Sequence, residues 1–364
     1  MENNNQIIKE LFEKISRIDP DKVKRELPKQ KTRGNNHEYI LDLQKGFKDE
    51  ELTLMLGAGI SASYNVPSWD NLLQQLLLNT INKDKNVSIA LSKLFTKLFN
   101  PNSLIAGRYL QKYYTKKGEN NLAFEEQVRK LLYSNIDKKA QSQTINEIIN
   151  FCVAPGKSPN IDSIITYNYD DIIENSLDNL NIDIDYKSIY GVGMNPEKGQ
   201  IPIYHVHGYL PRKGKLSNEN IITLGENVYH EQYSDVYSWN NLVQLNKFRE
   251  KTCLFIGISL ADPNMRRLLD IARLHLGSKE KNHYIIKRRN NLENIKIQLD
   301  KLLERNEELK NDKVRANLKL DETSDLLKEI FESFEENDTD SFGLKTIWID
   351  DFNEIPLILQ SIRK

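Results

Sequence analysis

Cysteine is nearly missing from this chain. Its 364 residues include two, Cys152 and Cys253, far apart in sequence. That is too few thiolates for a disulfide framework or a four-thiolate zinc site, and it fits a reducing compartment. A surplus of one charge is missing as well. Lys+Arg number 51 and Asp+Glu 52, for a formal net charge of −1, so the overall balance gives no reason for nucleic-acid or acidic-membrane binding. No apolar run approaches the roughly 18 residues that span a bilayer. Met1 to Ile15 alternates polar and apolar residues without the ~7–15 residue apolar stretch of an export signal. The expectation is a cytoplasmic protein that neither enters a membrane nor reads nucleic-acid sequence directly.

What is present is 39% hydrophobic and 28% charged, a composition that suits a folded core with polar attachments. Ile7, Leu11 and Ile15 keep helical spacing before a break at Pro28, Gly34 and Asn35-Asn36, which predicts an N-terminal helical extension over 1–49. From Leu52 short apolar, β-branched runs each end at Gly, Asn or His: Leu52–Leu56, Ile161–Thr166, Ile201–Val206, Cys253–Ile258, His283–Ile286 and Thr346–Ile349. Such runs read as buried parallel strands that deliver loops at their C-terminal ends. The fold class expected is therefore α/β, a Rossmann-like parallel sheet of about six strands with helices on both faces. The core would occupy 50–287, carry a helical insertion at 70–150, and regain its last strand and helix at 341–364.

Between them, 288–340 is charged and helical. A seven-residue repeat places Leu292, Leu299, Asn306, Lys313, Leu320, Leu327 and Phe334 at one seam position and Ile295, Leu302, Leu309, Ala316, Thr323 and Ile330 at the other. The pattern fits a hairpin folded on its own domain, because Asn306, Lys313 and Thr323 weaken the seam and Asp321–Ser324 reads as a break; it also fits partner binding.

Four motifs carry chemistry. The first strand runs into Gly57-Ala58-Gly59-Ile60-Ser61, and Gly-x-Gly at a strand end lets backbone N–H groups approach a pyrophosphate, or simply makes a tight turn. Thr166-Tyr167-Asn168-Tyr169-Asp170 puts an amide and a carboxylate two residues apart after a strand, facing one cavity or closing an Asx turn. His207-Gly208 follows another strand; imidazole suits a general base, while a strand-end histidine is commonly structural. By alternation His205 points to the other face and is expected to be structural. Gly257-Ile258-Ser259-Leu260 ends a further strand, after which Asp262 suits a helix N-cap and Pro263 the first turn; Arg266 and Arg267 fit a solvated helix face as well as any other role.

These motifs, in this order, resemble the sirtuin family. Asn65-Val66-Pro67-Ser68-Trp69 keeps the Pro and the aromatic that follow the sirtuin Gly-Ala-Gly loop. Residues 166–170 resemble Thr-Gln-Asn-Ile-Asp, residues 257–260 resemble Gly-Thr-Ser-Leu, and Leu344–Asp351 with Ile355-Pro356-Leu357 resembles the closing strand and helix of bacterial sirtuin-like domains. The likeness covers about 50–287 and 342–362 and points to the bacterial NAD-consuming effectors of antiphage defence. It departs from the deacylases in two ways. Tyr209–Thr252 has no cysteine, so the four-cysteine zinc module is absent, and Ser68, Asp70 and Asn65 replace the Asp, Arg and Gly around the loop aromatic, Asn65 still tolerating a left-handed backbone.

The resemblance implies an NAD glycohydrolase that releases nicotinamide and ADP-ribose, with NAD as substrate and no metal. Asn168 would orient ribose hydroxyls and water, and His207 would act as general base. Gly57, Ala58, Gly59 and Ser61 would hold the pyrophosphate, Asp170 the carboxamide, and Gly257 and Ser259 the adenosine side. The alternatives are an NAD-dependent protein deacylase and a non-catalytic NAD or ADP-ribose sensor. Because NAD is essential to a host, the enzyme is expected to be gated as a homo-oligomer that docks onto a separate sensor or ATPase. His207→Ala and Asn168→Ala are expected to leave the fold intact.

Overall fold

The computed structural model describes residues 10–11, 13–15, 17–28, 36–81, 103–117, 122–137, 139–153, 161–180, 182–276, 281–305 and 319–364. They divide into two compact units, one of residues 39–286 with 355–364 and one of 1–38 with 287–354.

In the larger unit the strands are β1 (Leu52–Leu56), β2 (Ile161–Thr166), β3 (Tyr186–Ile189), β4 (Ile201–His205), β5 (Thr252–Ile256) and β6 (His283–Arg288). Their order is β3-β4-β2-β1-β5-β6, and each of the pairings from β3 across to β6 is parallel. All five residues of β1 are buried, as expected of a parallel strand covered on both faces. From β1 the chain builds outward through β2 and then returns to add β5 on the other side, so the direction of winding reverses between β1 and β5. Open α/β sheets bind ligands in the crevice at such a reversal, outside the carboxyl ends of the strands.

The register sharpens this. Leu56 lies opposite both Thr166 and Ile256, and Thr166 opposite His205, so β1, β2, β4 and β5 end at one level and their loops emerge side by side. The expected strand Cys253–Ile258 stops at Ile256, because Gly257 has φ +68° and leaves the extended conformation. Strand β3 was not expected. It is a short, half-exposed edge strand without the continuous apolar run of its neighbours.

The helical insertion is present as Trp69–Ile81, Ser103–Lys117, Ala123–Leu132 and Gln143–Phe151, among the described residues. Leu72, Leu73, Leu76, Leu110, Phe124, Val128 and Leu132 form a buried cluster that also takes in Leu210, Leu216, Ile222 and Leu224 from the segment after β4. The last helix, Glu354–Arg363, belongs almost wholly to this unit, where Gln360 and Arg363 hydrogen-bond Glu147 at 2.9 and 3.0 Å. Cys152 and Cys253 are both buried free thiols; burial pushes the Cys152 thiol up to about 12, which keeps it protonated and inert.

The smaller unit holds the helices Pro20–Glu26, Leu292–Arg305 and Leu320–Ser341 and strand β7 (Leu344–Ile349). Asp19 caps the first helix by accepting from the N–H groups of Asp21 and Lys22. Leu299 and Leu303 are buried, with Ile15, Ile295 and Leu320 packed against them, so part of the heptad seam closes within its own unit. Lys24 pairs with Asp325 and Arg289 with Glu332. The seam positions Asn306, Leu309, Lys313 and Ala316 lie outside the described residues. Among the described residues, no helix is long and apolar enough to cross a membrane.

Candidate active site

A cavity of about 340 Å³ opens where the loops of β1, β2, β4 and β5 meet, within the roughly 300–1,000 Å³ typical of ligand sites. Gly57, Ala58, Ser61, Asn168, Asp170, His207, Gly257 and Ser259 line it, together with Val66, Pro67 and Trp69, Leu132 from the inserted helices, and Tyr229, Leu260 and Asp262. Of the residues expected at the site, Gly59 alone is not in the lining.

The glycines interlock two loops. A Cβ on Gly57 would stand 2.5 Å from the Gly257 carbonyl oxygen, and one on Gly59 would stand 2.8 Å from the Gly257 Cα. The N–H of Gly57 donates to the Ile256 carbonyl and that of Gly59 to the Gly257 carbonyl, at 3.0 and 3.1 Å. What these glycines supply is close approach between the β1 and β5 loops, and their N–H groups are spent within the protein. After Gly-x-Gly two 3-10 turns follow, Ala58–Ile60 and Ala62–Tyr64, and the α-helix starts at Trp69. Asn65 ends the second turn at φ 59°, the left-handed backbone its replacement of glycine called for.

Asn168 is a hub between loops. Its Nδ2 donates to the Gly57 carbonyl and to Ser61 Oγ, both at 3.1 Å. A carbonyl can only accept, so the amide orientation is fixed and Oδ1 is the polar atom left over. The Asp170 carboxyl accepts from the Ile172 N–H at 3.2 Å. Burial pushes its pKa up to about 6 against the opposing hydrogen bonds from Ile172 and Ser61, and the nearby Glu174 and Asp171 push the same way as burial.

The two histidines part as alternation predicts. His205 is 1% exposed, its Nε2 is 2.6 Å from Glu174 Oε1, and its ring lies 4.1 Å from that of Tyr209. His207 lines the cavity, with Nε2 3.0 Å from Asp262 Oδ2. Its carbonyl accepts from Thr223 N at 2.7 Å, and Gly208 at φ +100° turns the chain where a Cβ would meet the Ile221 carbonyl oxygen at 2.3 Å. Asp262 does cap the helix Pro263–Leu276, as its position suggested, since Oδ1 accepts from the N–H groups of Asn264 and Met265. Its contact with His207 had no signal in the sequence. Nor did the roles of Tyr229, whose hydroxyl bonds Asp262 Oδ2 at 3.0 Å, and of Tyr167, whose ring stands edge-on to His207 at 4.9 Å.

The segment from Tyr209 to Gly225 is held by ordinary packing and hydrogen bonds. Tyr133 Oη donates to the Leu210 carbonyl and accepts from Asp171 N. Arg212 pairs with Asp171 at 2.6 Å, and buried Asn220 bonds Ser217 and the Tyr209 carbonyl. Among the described residues, no group of three or more His, Cys, Asp or Glu is arranged to hold a metal ion.

Residues 162–316 match the family model of the SIR2-like domain. The matched range holds the Asn168, His207 and Ser259 loops, and the Gly57 loop precedes it. Among curated proteins, the chain is 25% identical over 328 residues to NAD(+) hydrolase ThsA of Cytobacillus dafuensis, covering 89% of this chain and 55% of that protein. It is 26% identical over 326 residues to NAD(+) hydrolase ThsA of Acinetobacter baumannii strain 532279, covering 88% and 54%. It is also 26% identical over 314 residues to NAD(+) hydrolase ThsA of Enterococcus faecium, covering 85% and 55%. The chain thus spans about half the length of the curated relatives it matches.

Proposed function

We propose that this chain is an NAD glycohydrolase: water replaces nicotinamide at the ribose C1′, giving nicotinamide, ADP-ribose and a proton. The reading is supported above all by the convergence of Asn168, Asp170 and His207 on one cavity at the sheet's winding reversal, and by similarity to proteins named NAD(+) hydrolase over most of the chain. The bond to be broken already carries a cationic leaving group, so the protein has chiefly to position the ribose and stabilise an oxocarbenium-like transition state.

Asn168, with both amide protons committed, offers Oδ1 to a ribose hydroxyl or to the attacking water. His207 takes the proton that water loses. Asp170 sits by the carboxamide; with its pKa raised to about 6 it is mostly ionised at pH 7 and accepts there, and below about pH 6 it can also donate. Ala58 faces the pyrophosphate; Gly57, Gly59 and Ser61 shape that loop, the Ser61 hydroxyl going to Asp170 and its N–H to the Ala58 carbonyl; and Gly257 and Ser259 face the adenosine half. Trp69 adds a donor, since its buried indole N–H has no acceptor among the described residues. No step needs a metal.

In the cell the reaction would deplete NAD as the effector of antiphage defence. Gating would come from homo-oligomerisation through the helices 292–305 and 320–341 and from docking onto a separate sensor or ATPase in the cytoplasm. Incubating the purified chain with NAD, alone and with the product of the neighbouring gene, and identifying products by mass spectrometry tests the reading. Nicotinamide and ADP-ribose from wild type and none from His207→Ala are expected. O-acyl-ADP-ribose made from an acyl-lysine peptide would replace the reading with a deacylase, and NAD bound but unchanged would replace it with a sensor.

A further inference from the structure

We infer that Asp262 is a positioning residue of this site: it fixes His207 in the tautomer that carries its proton on Nε2, leaving Nδ1 as the one free lone pair of a ring that lines the cavity. Four donors converge on the Asp262 carboxyl. Asn264 N and Met265 N donate to Oδ1 at 2.7 and 2.9 Å; Tyr229 Oη and His207 Nε2 reach Oδ2, each at 3.0 Å. Burial pushes the carboxyl's pKa up, but the contact with His207, the Met265 N–H and the Tyr229 hydroxyl together bring it below the usual carboxylate range. An ionised carboxylate only accepts, so the hydrogen between it and the ring resides on Nε2, and a neutral imidazole with Nε2–H presents Nδ1 as its acceptor.

The other groups around the ring leave this arrangement undisturbed. The Tyr167 hydroxyl is committed to Gln244 Oε1 at 2.6 Å and the Tyr169 hydroxyl to the Thr223 carbonyl at 2.6 Å. The Tyr229 ring stands at 76° to the imidazole, 6.2 Å away, with its hydroxyl on Asp262. Arg267, on the capped helix, bonds Asn264 Oδ1. Asp170 shares the cavity and is held by Ile172 and Ser61. The helix cap thereby aims the carboxylate: Oδ1 is tied to the start of the helix Pro263–Leu276, so Oδ2 is presented to His207 in one orientation. A cap requires only one of the two oxygens, and the second is free to orient the base.

The kinetic consequence rests on the NAD-cleaving reading; the tautomer does not. The variant of choice is Asp262→Asn, whose side-chain oxygen keeps both cap bonds while its NH2 faces His207. An NH2 donates, so the ring must accept at Nε2 and carry its proton on Nδ1. Nitrogen-15 NMR of the full-length labelled protein, at a pH where the ring is neutral and with the His207 signals assigned by their loss in His207→Ala, should show Nε2–H in wild type and Nδ1–H in Asp262→Asn. NAD turnover should fall by about 100-fold or more in kcat, by analogy with removal of the orienting carboxylate in a catalytic triad, with KM within about threefold. A wild-type Nδ1–H tautomer, a tautomer unmoved by the substitution, or an unchanged kcat would overturn the inference. If wild type cleaves no NAD with or without its partner while the tautomer switches, the cleavage reading fails and the positioning role stands. If NAD is cleaved and the tautomer does not respond, the reverse holds.

Discussion

At the scale of single residues, two histidines two positions apart have opposite expected phenotypes. His205 is paired with buried Glu174, which also accepts from Ser188 Oγ at 2.9 Å. His205→Ala leaves that carboxylate charged and without its partner, and a cost of about 3–5 kcal/mol is expected, measured by urea unfolding. His207→Ala removes a cavity-lining ring and should abolish NAD loss; Asp262 loses that partner but keeps the Tyr229 hydroxyl and two helix N–H donors, so a smaller cost of about 1–2 kcal/mol in unfolding free energy is expected. Asn168→Ala was expected to spare the fold, but the amide bridges two loops, so a loss of about 1–2 kcal/mol is expected beside the loss of activity. For Asp170 the folded pKa, about 6, lies above the ordinary value of 3.8. Between those values the folded state holds more protons than the unfolded one, so this residue makes stability fall as pH rises from about 4 to 6. Asp170→Asn should therefore be more stable than wild type at pH 7, by on the order of 3 kcal/mol, and the gain should vanish below pH 4. An advantage that persisted at low pH would show a different origin. Activity should fall in the same variant.

At the scale of elements, the inserted helices take over the support of the loop that follows His207. Tyr133 joins that loop to the Asp171 turn through its single hydroxyl, and Arg129 donates to the Gly214 carbonyl at 2.9 Å. Tyr133→Phe leaves the Leu210 carbonyl and the Asp171 N–H short of one partner and should cost about 1–3 kcal/mol, with KM for NAD rising more than kcat falls as the Asp170 and His207 loops loosen. A held loop of this kind needs no metal staple, so purified protein is expected to contain no stoichiometric zinc and to keep its activity in a chelator. One tightly bound zinc per chain by elemental analysis would contradict this.

At the scale of the whole molecule, the seam separates into inward and outward positions. Leu299 is 7% exposed and packs within the smaller unit, whereas Leu302 is 46% and Phe334 67% exposed. Glutamate at Leu299 should destabilise the unit itself and is a poor probe of assembly. Leu302→Glu and Phe334→Glu should leave unfolding unchanged and convert the expected homo-oligomer to monomer in size-exclusion with light scattering. Wild type eluting as a monomer with full, constitutive NAD cleavage would end the gating proposal.

The sequence by itself determined the class of fold and the chemistry available to it. Runs of apolar and β-branched residues such as Leu52–Leu56 and Cys253–Ile256 require strands buried on both faces, Asn65 announces its left-handed turn, and alternation separates His205 from His207. These are local signals, carried by residues within a few positions of one another. Tertiary structure decided which loops became neighbours. Strands β1 and β5 are separated by nearly two hundred residues of chain, and only their parallel pairing brings Gly57 and Gly59 against Gly257 and spends the N–H groups that seemed free to bind phosphate. The second oxygen of Asp262, a cap in the sequence, finds His207 only because β4 and β5 end at one level across the sheet. The strand β3 and the division of the seam at Leu299 and Leu302 were likewise settled by what packs alongside, because a half-exposed strand and a two-sided helix carry no periodicity that says which neighbour will cover them.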